Sequence, residues 1–151
     1  MKIYKLIVFA IFFIVTAEAP AQAYFNLKNL KQVTVTIMDE GNYLSSNIQQ
    51  KLLTEIKLKL KSAGLTIAGR EKWSEFRVDV RAVKTNDLFP QYKLLLNIFL
   101  IEEALLERTG TQRISVITYY DDEFWVVEDK KDIEKAAYDK ILDIMLVRFL
   151  E

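Results

Sequence analysis

The chain is predicted to form an α+β domain, in the order β-α-β-β-β-β-α, with two helices packed on one face of a mixed, mostly antiparallel sheet. Three observations lead there. Leu44, Ile48, Leu52, Ile56 and Leu60 recur every four residues, the spacing of one helical face. Residues 33–38, 76–83 and 92–101 alternate with a period of two, the spacing of half-buried strands. A second helical stripe, Ile133, Ala137, Ile141, Ile144 and Met145, closes the chain. Layering helices on a sheet is the simplest way to bury both kinds of apolar face.

Val33-Thr34-Val35-Thr36-Ile37-Met38 reads as the first strand and Asp39-Glu40-Gly41-Asn42 as a turn. The first helix follows. Ser46 with Gln49 fits a capping box, with Asn42 as an earlier alternative. Lysines fill its last turns, the favourable end of the helix dipole, and Gly64 stands where a left-handed cap is wanted. Leu65-Thr66-Ile67-Ala68 is a short second strand. Strand, helix and strand on short links imply a right-handed crossover between parallel strands. A polar loop, 69–75, holds Trp73. Phe76, Val78, Val80 and Ala82 then alternate with Arg77, Asp79 and Arg81, a strand with one wet face.

Asn86-Asp87-Leu88-Phe89-Pro90 is the longest turn signal. Tyr92, Leu94, Leu96, Ile98 and Leu100 carry the core face of the next strand. Leu95, Phe99 and Ile101 make its other face apolar too, so it is expected to be central or covered behind. Arg108-Thr109-Gly110-Thr111 reads as a hairpin turn leading to a partner strand, 113–120. Asp121-Asp122-Glu123 is expected to break that strand before a short apolar segment, Phe124-Trp125-Val126-Val127. Asp129 caps the final helix, which from Ile144 onward is apolar nearly all round.

Ahead of this domain, Met1-Lys2-Ile3-Tyr4-Lys5 is basic, Leu6 to Ala17 is an uncharged run, and Ala17-Glu18-Ala19 and Ala21-Gln22-Ala23 are small-x-small. That order is a secretory signal peptide over residues 1–23. The run is shorter than the ~20 apolar residues of a bilayer-spanning helix. Cleavage is expected between Ala23 and Tyr24, because cutting after Ala19 would put Pro20 at the cut. Residues 24–151 then form a single domain, periplasmic or secreted, with no membrane span after cleavage. The sequence has no cysteine, so neither lipid attachment at a cysteine nor disulfides enter, and the core alone must hold the fold.

The chain also has no histidine. Together these gaps remove serine–histidine and cysteine–histidine catalysis and the usual zinc, copper and haem ligands. The whole chain has 21 basic and 21 acidic residues with no basic stretch, so no nucleic-acid partner is expected. Glu102 and Glu103 are strand neighbours on opposite faces and cannot flank one bond. Asp121-Asp122-Glu123 lacks the ligand spacing of a calcium loop. No serine stands in a Ser-x-x-Lys motif. Catalytic residues, metal ligands and cofactors are therefore expected to be none.

Contact with a partner is better represented. Aromatics fall in or beside predicted loops: Tyr43, Trp73, Phe89, Tyr119, Tyr120 and Trp125. Tryptophan and tyrosine suit interfaces, combining large apolar area with a polar handle, although Trp125 and Tyr119 also suit the core. Phe89-Pro90 is a candidate exposed contact, and Trp73 another. The apolar terminus, with Leu146, Phe149 and Leu150, either wedges into the core or meets a partner, including a second copy.

The order of elements resembles a group of small bacterial envelope modules. The carriers are an amphipathic helix ending in Ala63-Gly64-Leu65-Thr66-Ile67, three alternating strands, a Trp-bearing segment and a closing helix ending in Phe149. The group includes the N-terminal domain of the Tol-system periplasmic protein, the lipopolysaccharide-assembly lipoprotein and uncharacterised exported proteins. The chain departs from the lipoproteins in having no cysteine to acylate, and no functional residue carries over. The resemblance implies a non-enzymatic binding or accessory role at the cell envelope, with a protein partner or self-association. Two alternatives are a carrier of a small apolar ligand or lipid, and a hydrolase using carboxylates or a Ser-Lys pair.

Overall fold

A computed structural model describes residues 30–69, 74–85, 91–105, 108, 110 and 112–151. The export segment with its Ala23–Tyr24 junction, Trp73, and the 86–90 turn with Phe89 and Pro90 lie outside them.

The predicted α+β order is present. Five strands, β1 (Gln32–Asp39), β2 (Thr66–Ile67), β3 (Ser74–Lys84), β4 (Tyr92–Leu105) and β5 (Arg113–Val127), form one mixed sheet in the order β2-β1-β3-β4-β5. Helix α1 (Ser46–Ser62) links β1 to β2, which pair in parallel, Gln32 with Thr66. β1 also pairs in parallel with β3, Thr34–Asp39 against Glu75–Val80. The β3–β4 and β4–β5 ladders are antiparallel. A closing helix completes the chain as α2 (Lys130–Lys140), a π-helical stretch (Ile141–Met145) and α3 (Leu146–Leu150). Among the described residues no helix is long and apolar enough to cross a membrane.

Both helices cover one sheet face. Phe76, Val78 and Val80 of β3 and Leu94, Leu96, Ile98 and Leu100 of β4 meet Leu52, Ile56 and Leu60 of α1 and Ile133, Ala137 and Ile141 of the closing helix in one buried cluster. At its far end Phe149 packs on Phe76, ring centroids 4.8 Å apart, and on Tyr119 at 5.0 Å.

The helix ends follow local chemistry. Ser45, not Ser46, caps α1: the Ile48 N–H donates to its Oγ at 3.4 Å. The expected reciprocal partner is engaged elsewhere, since Gln49 Nε2 donates to Leu44 O at 3.3 Å and to Asp39 Oδ2 at 3.4 Å. Asp39 also accepts from the Tyr43 and Leu44 N–H groups at 3.0 and 2.7 Å, fastening the β1–α1 turn. Ser45 in turn donates to Glu134 from both its N–H and its hydroxyl, tying α1 to α2. At the C-terminus Gly64 takes φ +91°, and Leu65 N–H to Leu60 O (3.0 Å) with Gly64 N–H to Lys61 O (2.9 Å) complete a Schellman cap.

Two further expectations are corrected. Asp121-Asp122-Glu123 does not break the strand: β5 runs without interruption from Arg113 to Val127. Alternation resolves the crowding of charge. Asp121 and Glu123 turn to the helix side, where Arg148 reaches them at 3.4 and 2.5 Å, while Asp122 points the other way. The closing stripe also differs, since Ile144 is only half-buried while Leu142, Met145, Leu146 and Phe149 are buried.

The π-helical stretch explains the second difference. Residues 133, 137, 141, 145 and 149 are spaced by strict fours, which on a regular helix of 3.6 residues per turn drift by about 160°. A helix presents a stripe little wider than 100° to one core. In the stretch Leu146 N–H donates to Ile141 O, five residues back. That places one extra residue in the turn and takes back about 100° of the drift. All five positions are thereby buried on one side.

Candidate functional site

The sheet face opposite the helices has no element across it among the described residues. Register identifies its side chains. β1 contributes Thr34, Thr36 and Met38, and β3 contributes Glu75, Arg77, Asp79, Arg81 and Val83. β4 contributes Lys93, Leu95, Asn97, Phe99, Ile101, Glu103 and Leu105. β5 contributes Ser115, Ile117, Tyr120, Asp122, Phe124 and Val126.

A bulge shapes its far end. Leu100 pairs with Tyr119 and Ile101 with Ile117, so Thr118 is the extra residue, its hydroxyl donating to Leu100 O at 3.4 Å. A one-residue shift reverses the faces of every side chain beyond it. Ile117 and Ser115 therefore join the open face, while Val116 and Ile114 turn to the helix side.

The open face is unusually apolar. Of the ten exposed large hydrophobics among the described residues, eight lie on it: Met38, Val83, Leu95, Leu105, Ile117, Tyr120, Phe124 and Val126. The other two, Leu58 and Val147, are on helices. Phe124 is 67% exposed and Ile117 59%. Isolated exposed apolar residues are ordinary, whereas a contiguous patch marks an interaction surface. Half-buried Phe99 stacks against Tyr120 at 5.1 Å, and the Tyr120 hydroxyl meets Asn97 Oδ1 at 3.4 Å.

Beside this patch β3 carries a row of alternating charge. Arg77 binds Glu75 bidentately, at 2.8 and 3.1 Å. Arg81 pairs with Glu40 at 2.7 Å and approaches Asp79 at 3.9 Å. Burial raises the Glu75 pKa, but hydrogen bonds from Arg77 and Thr36 and the Arg77 charge outweigh it and hold the carboxyl below its ordinary range. Asp79 goes the other way. Burial pushes its carboxyl up, and the charges of Arg77 and Arg81 do not fully offset it. Its Oδ1 is buried without a hydrogen-bond partner among the described residues.

This sets a pH signature. A carboxyl with a raised folded-state pKa keeps its proton to higher pH than in the unfolded chain. Stability therefore falls as pH rises through the window just above the ordinary aspartate pKa of about 3.9. Asp79→Asn is expected to be more stable than the parent at neutral pH, and the gain is expected to vanish on acidification below that window. Urea unfolding across pH measures it. An Asn variant less stable at neutral pH would show that the two arginines outweigh burial.

A concavity of about 1110 Å³ lies along β1, whose pairing with β2 covers only Gln32 and Val33. Gln49, Gln50, Leu53 and Lys57 of α1 line one wall, and Glu75, Glu102 and Glu103 stand on the sheet side. Its lining mixes amides, hydroxyls, carboxylates and Lys57 with the apolar Val35, Ile37, Leu53 and Ile101.

Of the six candidate contact residues from the sequence, the three among the described residues lie on the closing helix and not on this face. Leu146 and Phe149 are in the core, 0% and 1% exposed, and Leu150 packs half-buried at its border. Trp73, Phe89 and Pro90 are outside the described residues. Of the remaining aromatics, Tyr119 and Trp125 face the helices, with Lys140 Nζ 5.4 Å from the Trp125 ring. Tyr120 alone of them lies on the patch. Leu95, Ile117, Phe124 and Val126 were missed as contact residues. Their signal was the apolar character of both faces of β4, which points to a covered back.

No family model matches the chain, and no curated protein matches it. Three solved structures that are similar to it in backbone illustrate the relation. A dodecamer of a PelC variant from Paraburkholderia phytofirmans is 11% identical, over 78% of this chain and 85% of that one, with a TM-score of 0.44. The hypothetical protein CT253 from Chlamydia trachomatis is 10% identical, over 80% and 98%, with a TM-score of 0.41. A minor lipoprotein from Acinetobacter baumannii is 12% identical, over 80% and 90%, with a TM-score of 0.36. At these identities no residue role passes to this chain.

Proposed function

We propose that this chain is an exported, non-enzymatic binding or accessory domain of the bacterial cell envelope, which docks a protein on the open face of its sheet. The observation that carries this reading is the gathering of exposed apolar side chains on the one sheet face that no helix covers among the described residues. An antiparallel sheet commonly leaves one face to solvent, and that face is then ordinarily polar. Here it is polar along β3 and apolar along β4 and β5. The basic and apolar order of residues 1–17 supports export. The absence of histidine and cysteine from the whole sequence favours binding over catalysis.

The test is site-specific photo-crosslinking in cells. A photoreactive residue replaces Phe124 on the open face, and in a second strain replaces Leu58, which is also exposed, on the outside of α1. Protein adducts at position 124 are expected to exceed those at position 58 several-fold. Equal yields at the two positions, or none at 124, would remove the docking reading.

A further inference from the structure

We infer that the occupant of the open face is the same face of a second copy, related by a two-fold axis that crosses the strands at the level of Val78, Ile98 and Asp121. These three residues are register partners across β3, β4 and β5. The inference rests on the docking reading above and names its partner.

The charge row on β3 orients the second copy. Glu75, Arg77, Asp79 and Arg81 read minus, plus, minus, plus along the strand. Reversed, the same row reads plus, minus, plus, minus. A two-fold axis across the strands stacks β3 on the partner's β3 in antiparallel direction. Arg77 then opposes the partner's Asp79, and Glu75 opposes the partner's Arg81. An axis along β3 would instead place each charge over its own copy, and one between β3 and β4 would lay the charge row on the partner's apolar β4. Moving the crossing level by one residue, to Arg77 or Asp79, also brings like charges together. Like charges brought face to face are costly, and crossing at Phe76 or Val80 opposes only one complementary pair of positions, so the level of Val78, where all four charges meet an opposite one, is the most favourable.

The same axis brings the outer apolar positions to one level, while next to it Phe99 comes over the partner's Asn97 and Tyr120 over the partner's Asp122. Leu95 lies three residues to one side of Ile98 and Ile101 three to the other, so each faces its counterpart in the partner. Phe124 and Ile117 are their register neighbours on β5 and oppose each other in the same way. Further out, Lys93 comes over the partner's Glu103. Aligned sheets cross at about 30°, about 10 Å apart. The pairs next to the axis therefore stay opposed, and the next pairs, Leu95–Ile101 and Phe124–Ile117 with Glu75–Arg81, are offset sideways by about one strand spacing, a displacement that an arginine spans. Four strands about 4.8 Å apart, with β3 about 35 Å long, present some 650–700 Å² in projection. That approaches the roughly 800 Å² per partner of a standard stable interface.

The experiment is a charge exchange read by sedimentation of the purified protein at low salt. The parent is expected to dimerise at tens of micromolar. Glu75→Arg and Arg81→Glu are each expected to weaken the dimer about tenfold or more by opposing like charges. Mixed in equal amounts, the two variants are complementary and are expected to associate as the parent does, which misfolded variants cannot do. The double variant E75R/R81E is expected to dimerise as well. A parent that stays monomeric at about 100 µM overturns the inference. So does a dimer indifferent to both single changes, or a mixture no better than its components. The position-124 crosslink separates this from failure of the docking reading. Adducts with another protein and none of twice the chain mass overturn the second copy and leave docking standing. No adduct at all overturns both.

Discussion

Phe149→Ala is expected to cost about 3–5 kcal/mol of folding stability, the range for truncating a buried aromatic. Three features place it there. The side chain is 1% exposed. It is in contact with two other rings, Phe76 and Tyr119. And it stands in the last turn of the closing helix, which it joins to both β3 and β5. The lost ring leaves a cavity against Phe76, a strand residue that cannot move without disturbing its β1 and β4 partners. Collapse of the site is therefore limited, and the cavity contribution persists. Urea unfolding is the measurement, with a lower midpoint at unchanged slope as the expected result. Leu150→Ala, half-buried at the border, is the comparison and is expected to cost well under half as much. A loss below about 1 kcal/mol for Phe149→Ala would mean that the terminal turn is not core.

The second large effect concerns helix phase. One alanine inserted between Asp143 and Ile144 adds about 100° of rotation to everything beyond it. Leu146 and Phe149 then leave the core together, and the expected loss exceeds about 5 kcal/mol, enough to unfold many domains of this size. Deletion of Asp143 should do the opposite of what deletion in a regular helix does. Asp143 is exposed within the π-helical stretch. Removing one residue there converts the turn to ordinary α geometry and leaves Met145, Leu146 and Phe149 in phase. Its expected cost is no more than about 1–2 kcal/mol. Circular dichroism and urea unfolding of the pair decide the point. If deletion proves as damaging as insertion, the π-helical stretch is not what keeps the helix in phase.

Much of the architecture was legible residue by residue. The four-residue repeat from Ile48 to Leu60, closed by Gly64, marked α1 and its end, because amphipathic spacing and a left-handed cap are local properties. β3 announced itself through Phe76, Val78 and Val80 against Arg77, Asp79 and Arg81. β4 was legible from Tyr92, Leu94, Leu96, Ile98 and Leu100, and it runs on to Leu105. The failures share a cause. Asp121-Asp122-Glu123 looked like a break because three consecutive acids seem too repulsive for a strand. Arg148, 25 residues away in sequence from Glu123, neutralises the two that face the helices. The cap moved from Ser46 to Ser45 because Glu134 of α2 holds Ser45 in place.

The candidate site was the least legible part. A period-two reading of β5 loses its phase at Thr118, since a bulge is defined by the partner strand and not by the bulged one. Without that bulge Ile117 could not be assigned to the face of Tyr120 and Phe124. The doubly apolar β4 was visible, and its meaning depended on which strands flank it and on whether anything covers its back.

By itself the sequence determined the α+β class, the helix positions, the alternating strands and the chemistry that a chain without histidine or cysteine lacks. Those are consequences of local spacing and of composition. Tertiary structure alone decided the strand order, the continuity of β5, the phase of the closing helix and the open apolar face. Each of these depends on residues far apart in the chain meeting in space, and a one-dimensional period does not record which faces meet.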